Sequence, residues 1–249
     1  MSLPFDLTPG VTAALALALI GAAFVRGYSG FGFSAIVITF AAIFTNPLPL
    51  IPVVFACEML MTIFQARGIR PDIDWRRVGA MLAGAAIVLP LSVGIILSVG
   101  EDMVRLIVST LVLIMSLVLL SGWTLQRAIH APGHLGVGII SGVCNGAGVG
   151  GAPVAVFMAA QPMPPAVFRA TMIAFLTGLD LITLPLLWVG GLVTWETAIG
   201  AALAFPLLGL GVWLGGRQFL STPPAAFRRF AVFLLLILSG AGLIRAAFA

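Results

Sequence analysis

The chain predicts an all-α polytopic membrane protein of two inverted repeats, each a glycine-tipped re-entrant or short-helix hairpin followed by three spanning helices. Three observations carry this expectation. Of 249 residues, 61% are apolar and 8% charged, and the mean hydropathy is +1.20, too little polarity to clothe a water-facing domain of this size. A glycine-rich break occurs twice within apolar sequence, as Tyr28-Ser29-Gly30-Phe31-Gly32-Phe33-Ser34 and Cys144-Asn145-Gly146-Ala147-Gly148-Val149-Gly150, and the copies superpose at a constant offset of 116. Irregular backbone at membrane depth survives only beside protein or a water-filled cavity, so paired breaks in two halves point to the central site of a small-solute transporter.

The segments follow in order. The first residues, Met1 to Gly10, carry no basic region, and no small-residue cleavage site follows the first apolar run, so that run is expected to stay as structure. In a first repeat of residues 1–125 the apolar runs are 10–26, 33–45, 50–66, 77–99 and 104–122. In a second repeat of residues 126–249 they are 134–144, 151–160, 165–188, 196–215 and 230–248, and the repeats together form one transmembrane domain. A crossing takes about 20 residues at 1.5 Å each, which the last three runs of each repeat approach. The run 33–45 reaches only about 20 Å as helix and 151–160 about 15 Å, so the first two runs of each repeat are expected to re-enter or to span only partly. Pro153 suits a first helical turn, and Ser34 and Asn145 are candidate caps beside the breaks.

Charge sets the expected sidedness. All twelve basic residues are arginine. An odd number of passes per repeat puts Arg67, Arg70, Arg76, Arg77, Arg127, Arg169, Arg217, Arg228 and Arg229 on one face and leaves Arg105 and Arg245 opposite, nine against two; parallel repeats give six against five. The positive-inside rule prefers the first, with the arginine-rich loops 67–77 and 217–229 in the cytoplasm of a bacterial inner membrane and Asp6, Glu101, Asp102 and Glu196 outside. Trp75, Trp123, Trp188, Trp195 and Trp213 fit an interfacial belt. The high pI reflects a shortage of acids and speaks to topology, not to a nucleic-acid partner.

Candidate site residues cluster at the breaks. The short helices starting near Ser34 and Gly151 would aim unpaired N–H groups and dipole ends at the midplane, where an oxyanion is welcome. Gly30, Gly32, Gly146, Gly148, Gly150 and Gly151 allow close backbone approach, and Ser29 and Asn145 add hydrogen bonds; the other reading of these glycines is close helix packing. Glu58 and Asp180 lie inside apolar runs, where a charge costs at least about 3 kcal/mol, and are candidates for proton coupling; the alternative is a packing ion pair, with Arg26 as partner of Glu58. Arg26 is also a candidate counter-charge for an anion, and Arg169 either binds ligand or snorkels to the interface. Cys57 and Cys144 show no disulfide or zinc spacing, and His130 and His134 straddle Pro132-Gly133 without a third ligand, so no metal or cofactor is expected.

These residues also carry a resemblance. A Gly-rich break, a short apolar run, a Pro-rich turn (Asn46 to Pro52; Pro162 to Pro165) and another helix, repeated twice, resemble the TauE/SafE family of sulfite and organosulfonate exporters over essentially the whole chain. The most specific part is Gly146-Ala147-Gly148-Val149-Gly150-Gly151-Ala152-Pro153 with Arg169-Ala170-Thr171; the first copy departs from it in having Phe33 and Ser34. The resemblance implies a small anion. With the residues it gives the expectation of a secondary transporter, an exporter of sulfite or an organosulfonate and not an enzyme, working by alternating access in a lipid bilayer at a site between the two breaks, with a homodimer left open. Two other readings stand beside it: a channel-like or metal-ion permease, and a membrane-embedded enzyme acting on lipid or thiol through Cys144.

Overall fold

A computed structural model describes residues 5, 8–121 and 131–219. Helices α1 (Pro9–Ser29), α2 (Phe33–Phe44), α3 (Ile51–Ile69), α4 (Trp75–Ser98) and α5 (Glu101–Leu120) form the first half. Helices α6 (Ala131–Asn145), α7 (Gly151–Ala159), α8 (Pro165–Val189) and α9 (Trp195–Phe219) follow, and there is no strand among the described residues. Five helical stretches there are long and apolar enough to cross a membrane: Pro9–Ser29, Leu48–Ala66, Trp75–Ser98, Pro165–Val189 and Trp195–Phe219. The expected run 230–248, with Asp6, Trp123, Arg127, His130, Arg228, Arg229 and Arg245, lies outside the described residues.

Local chemistry explains the boundaries. Thr8 caps α1 through its hydroxyl, Pro9 opens it, and Gly30 closes it in the left-handed region at φ +83. Asp74 caps α4 by accepting from the Arg77 N–H at 3.1 Å and pairs with the Arg77 side chain at 3.0 Å. Pro165 opens α8, while Pro90, Pro185 and Pro206 sit inside α4, α8 and α9, a placement that membrane helices tolerate. The first run proves longer than its apolar stretch suggested. It holds 21 residues and continues through Arg26 to Ser29, because the Arg26 charge is neutralised by another helix.

Small residues set the packing. Without a hydrophobic drive between helices in lipid, close contact must supply the attraction, and glycines supply the approach. Helix α4 lies along α6 in the same direction: a side chain at Gly138 would strike the Met81 backbone, one at Gly142 Ala85, and one at Gly146 Ser92. Helix α1 lies along α9, again in the same direction, with Gly211 on Ala23, Gly215 on Phe24 and the Tyr28 ring edge-on to Phe219. Helix α9 also runs with α3, through Gly200 on Val53 and Phe64 beside Phe205. By contrast α3 and α8 run in opposite directions, joined by Thr62 to Thr177 at 2.8 Å and by the Asp74 N–H donating to Thr171 at 3.1 Å. The short helix α2 packs on α1, α3 and α5, and the short helix α7 packs on α5, α6 and α8.

Candidate functional site

The two breaks open on one narrow cavity. Its walls are Phe31, Gly32, Ser34 and Ala35 from the first break and α2, Gly151, Ala152 and Val156 from α7, and Val112, Met115 and Ser116 from α5. Of the residues expected to bind ligand, Gly32, Ser34 and Gly151 therefore share a surface. Helix α5 is the contributor that sequence reasoning missed. Ser116 stands in an unbroken apolar run and carries no local signal, although its spacing of four from Val112 marks a common helical face.

Beneath this cavity lies a buried charge cluster. Arg26 is wholly inaccessible, and its Nη1 stands 3.1 Å from Glu58 Oε1, so the ion pair raised as the packing alternative is present. The same Oε1 accepts the Ser34 N–H at 3.3 Å. Because Gly32 offers α2 no side-chain cap, the Glu58 carboxylate takes over that task from a neighbouring helix, where negative charge meets the positive dipole end. Asp180 reaches the cluster from α8 and interacts with both Glu58 and Arg26. One guanidinium thus faces two carboxylates in a fully buried site.

The remaining expected residues are held elsewhere. The Ser29 hydroxyl lies 2.8 Å from the Val25 carbonyl and 3.0 Å from the Phe31 carbonyl and donates to one of them at a time, so it stabilises the first break; it is not among the residues that line the cavity. Gly30 is left-handed, and a side chain on it would come within 2.8 Å of the Arg169 carbonyl. Arg169 does not line the cavity: its Nε and Nη2 donate to the Gly27 carbonyl at 3.0 and 2.7 Å, capping the C-terminus of α1, and its guanidinium lies 4.9 Å from the centre of the Phe219 ring. Asn145 ends α6 and donates to Thr183 at 2.9 Å, joining the second break to α8. The Gly146 N–H donates to Ser92 at 3.1 Å, the Gly150 carbonyl accepts from Ser141 at 2.6 Å, and Gly148 is left-handed at φ +77 against Ile38. Neither proposed cap is a helix N-cap; Gly32 and Gly150 hold those positions.

Both cysteines are buried free thiols. Cys144 packs within the apolar core and is not among the residues that line the cavity. Among the described residues no group of three or more His, Cys, Asp or Glu converges as metal ligands do.

A bundle of apolar helices with two helix breaks meeting at a small cavity, lined by apolar residues and by Ser34 and Ser116, is the arrangement of an integral membrane transporter. Comparison with protein families narrows it: the family model for the sulfite exporter TauE/SafE matches residues 14–242. The chain belongs to the sulfite exporter TauE/SafE family, whose members are transporters and not enzymes. Neither the curated proteins nor the solved structures gave a match.

Proposed function

We propose that the protein is a secondary exporter of a small oxyanion, sulfite or an organosulfonate, which binds in the cavity between the two breaks and crosses by alternating access with a coupled proton. The observation that carries this reading is Glu58, whose one oxygen occupies both the Ser34 N–H at the start of α2 and the Arg26 guanidinium. Those two donors are what a sulfite or sulfonate group would seek. A proton on Glu58 weakens its hold on both and frees them for the anion, so proton and anion occupy the site together and leave together down the anion's own outward gradient. Asp180, facing the same cluster, gives the proton a second carboxylate to share. Ser34 and Ser116 supply hydroxyls, and the start of α7 at Gly151 supplies a second dipole end.

The family's description as sulfite exporter supports the substrate class and the direction. Inverted repeats are supported by the helix directions: α3 and its counterpart by offset, α8, run in opposite directions, and α1 runs with α9 and α9 with α3, whereas α6, the counterpart of α1, runs with α4. The inner-membrane location, with the loops 67–77 and 217–229 cytoplasmic, rests on the arginine count.

The test is flux of radiolabelled sulfite and a small sulfonate in proteoliposomes, with and without a pH gradient. Wild-type protein is expected to move at least one of them faster with the gradient imposed. Glu58→Gln, a mimic of the protonated form, is expected to keep flux and lose the response to the gradient. A Glu58→Gln variant that still follows the gradient would refute proton coupling through this carboxylate.

A further inference from the structure

Helices α2 and α5 pack on each other and run antiparallel: Ala35 lines the cavity with Val112 and Ser116, and near the other end Arg105 Nε donates to the Thr45 carbonyl at 3.4 Å. Thr39 lies one turn beyond Ala35, and Ser109 lies between Val112 and Arg105, so each continues its helix's facing surface towards that end. Both residues are wholly buried, and neither hydroxyl has a hydrogen-bond partner. A serine or threonine inside a helix readily returns its hydroxyl to the carbonyl one turn back. Thr62, Thr177 and Thr183 do so in this protein, and Thr39 and Ser109 do not.

A buried arginine stands at the end of this line. The Arg105 guanidinium is held by Asp102 at 3.2 Å and by Glu101 in close contact, both from the first turn of α5. The Arg105 side chain is 9% exposed, while those of Glu101 and Asp102 are 43% and 72% exposed. Ion pairs to solvated carboxylates are weak, so these acids are ligands that another anion can replace.

We propose that Thr39, Ser109 and Arg105 form the anion's route between the cavity and the membrane face where α4 ends and α5 begins, with Arg105 binding the anion at the mouth in exchange for Glu101 and Asp102. The route rests on the anion-transport reading above. It assigns α5 a role in selectivity: the Arg105 guanidinium draws the anion in at the mouth, and the Thr39 and Ser109 hydroxyls can donate to it along the wall.

The test labels the route without depending on flux. Thr39→Cys, Ser109→Cys and the cavity control Ser116→Cys are reconstituted and treated with anionic and cationic methanethiosulfonates; wild-type protein, with its own Cys57 and Cys144, gives the background. Both route positions, closed over in this structure, are expected to react as the route opens, the anionic reagent faster than the cationic one. In an Arg105→Gln background that preference should fall roughly tenfold, the factor set by about 1.4 kcal/mol of lost attraction. Absence of labelling at Thr39→Cys and Ser109→Cys, or an anionic preference that ignores Arg105→Gln, overturns the route. Labelling that sulfite does not slow upholds the route and counts against sulfite as its passenger. Where a cysteine variant fails to fold, Thr39→Val and Ser109→Ala of unchanged thermal stability are expected to lower sulfite flux, and unchanged flux overturns the proposal.

Discussion

Arg26 shows how much a single buried charge constrains its neighbours. With Glu58 and Asp180 both ionised the cluster carries one net negative charge, so it becomes neutral by holding one proton. The consequence separates two substitutions that look alike on paper. Glu58→Gln leaves Arg26 facing Asp180, a neutral pair, and the new amide oxygen still accepts the Ser34 N–H. Arg26→Gln leaves two carboxylates buried together without a counter-charge. Breaking a buried pair in that way costs about 3–5 kcal/mol, whereas the first change should cost about 1 kcal/mol, that of one altered hydrogen bond. Thermal unfolding of the detergent-solubilised variants at neutral pH reads the difference, and equal losses would show that Asp180 does not share the Arg26 charge. Arg26, Glu58 and Asp180 were each visible in the sequence as charges in apolar runs. Their meeting was not, because no spacing rule links positions on three helices separated by up to 154 residues.

At the scale of helices, glycine position decides which pairs can approach. Gly136 and Gly138 are two residues apart on α6, yet a side chain at Gly136 meets nothing within 4 Å and one at Gly138 strikes the Met81 carbonyl of α4. Gly136→Ala should therefore be neutral or gain up to about 1 kcal/mol from helix propensity. Gly138→Ala must push α4 and α6 apart and should lose about 1–3 kcal/mol, the usual cost of overpacking. Equal melting temperatures for the two variants would mean that the α4–α6 contact is not close. Helix boundaries were largely legible, since α2 to α9 begin and end within a few residues of the apolar runs. The run ending at 26 was not, because a charge and a glycine read as a stop until Glu58 and Arg169 are seen to satisfy them. Helix α5 was legible as a span and silent as a wall of the cavity, for its serines are ordinary residues until the fold sets them against α2.

For the whole molecule, the open question is the relative direction of the halves, and the exposed ends of α4, α5 and α9 decide it. Under the offset of 116, Arg76 corresponds to Leu192 and Glu101 to Arg217. If the halves ran in parallel, corresponding ends would share a side, so Arg76 would lie with Glu196 and Asp102 with Arg217. The contacts favour the other assignment. Helix α9 runs with α3, and α4 must return from the end of α3 through the short turn Arg70–Asp72, so the start of α4 lies at the same end as the close of α9. Arg76 then shares a side with Arg217, and Asp102 shares the opposite side with Glu196. All four side chains are exposed, which makes single cysteines there reactive while the native thiols stay buried. With a membrane-impermeant maleimide on oriented vesicles, Arg76→Cys and Arg217→Cys are expected to label from the cytoplasmic side, and Asp102→Cys and Glu196→Cys from the other. Pairing of Arg76→Cys with Glu196→Cys would mean parallel halves. The arginine-rich loops would then fall on both faces, and the hairpins could not exchange access by a two-fold movement in the membrane plane.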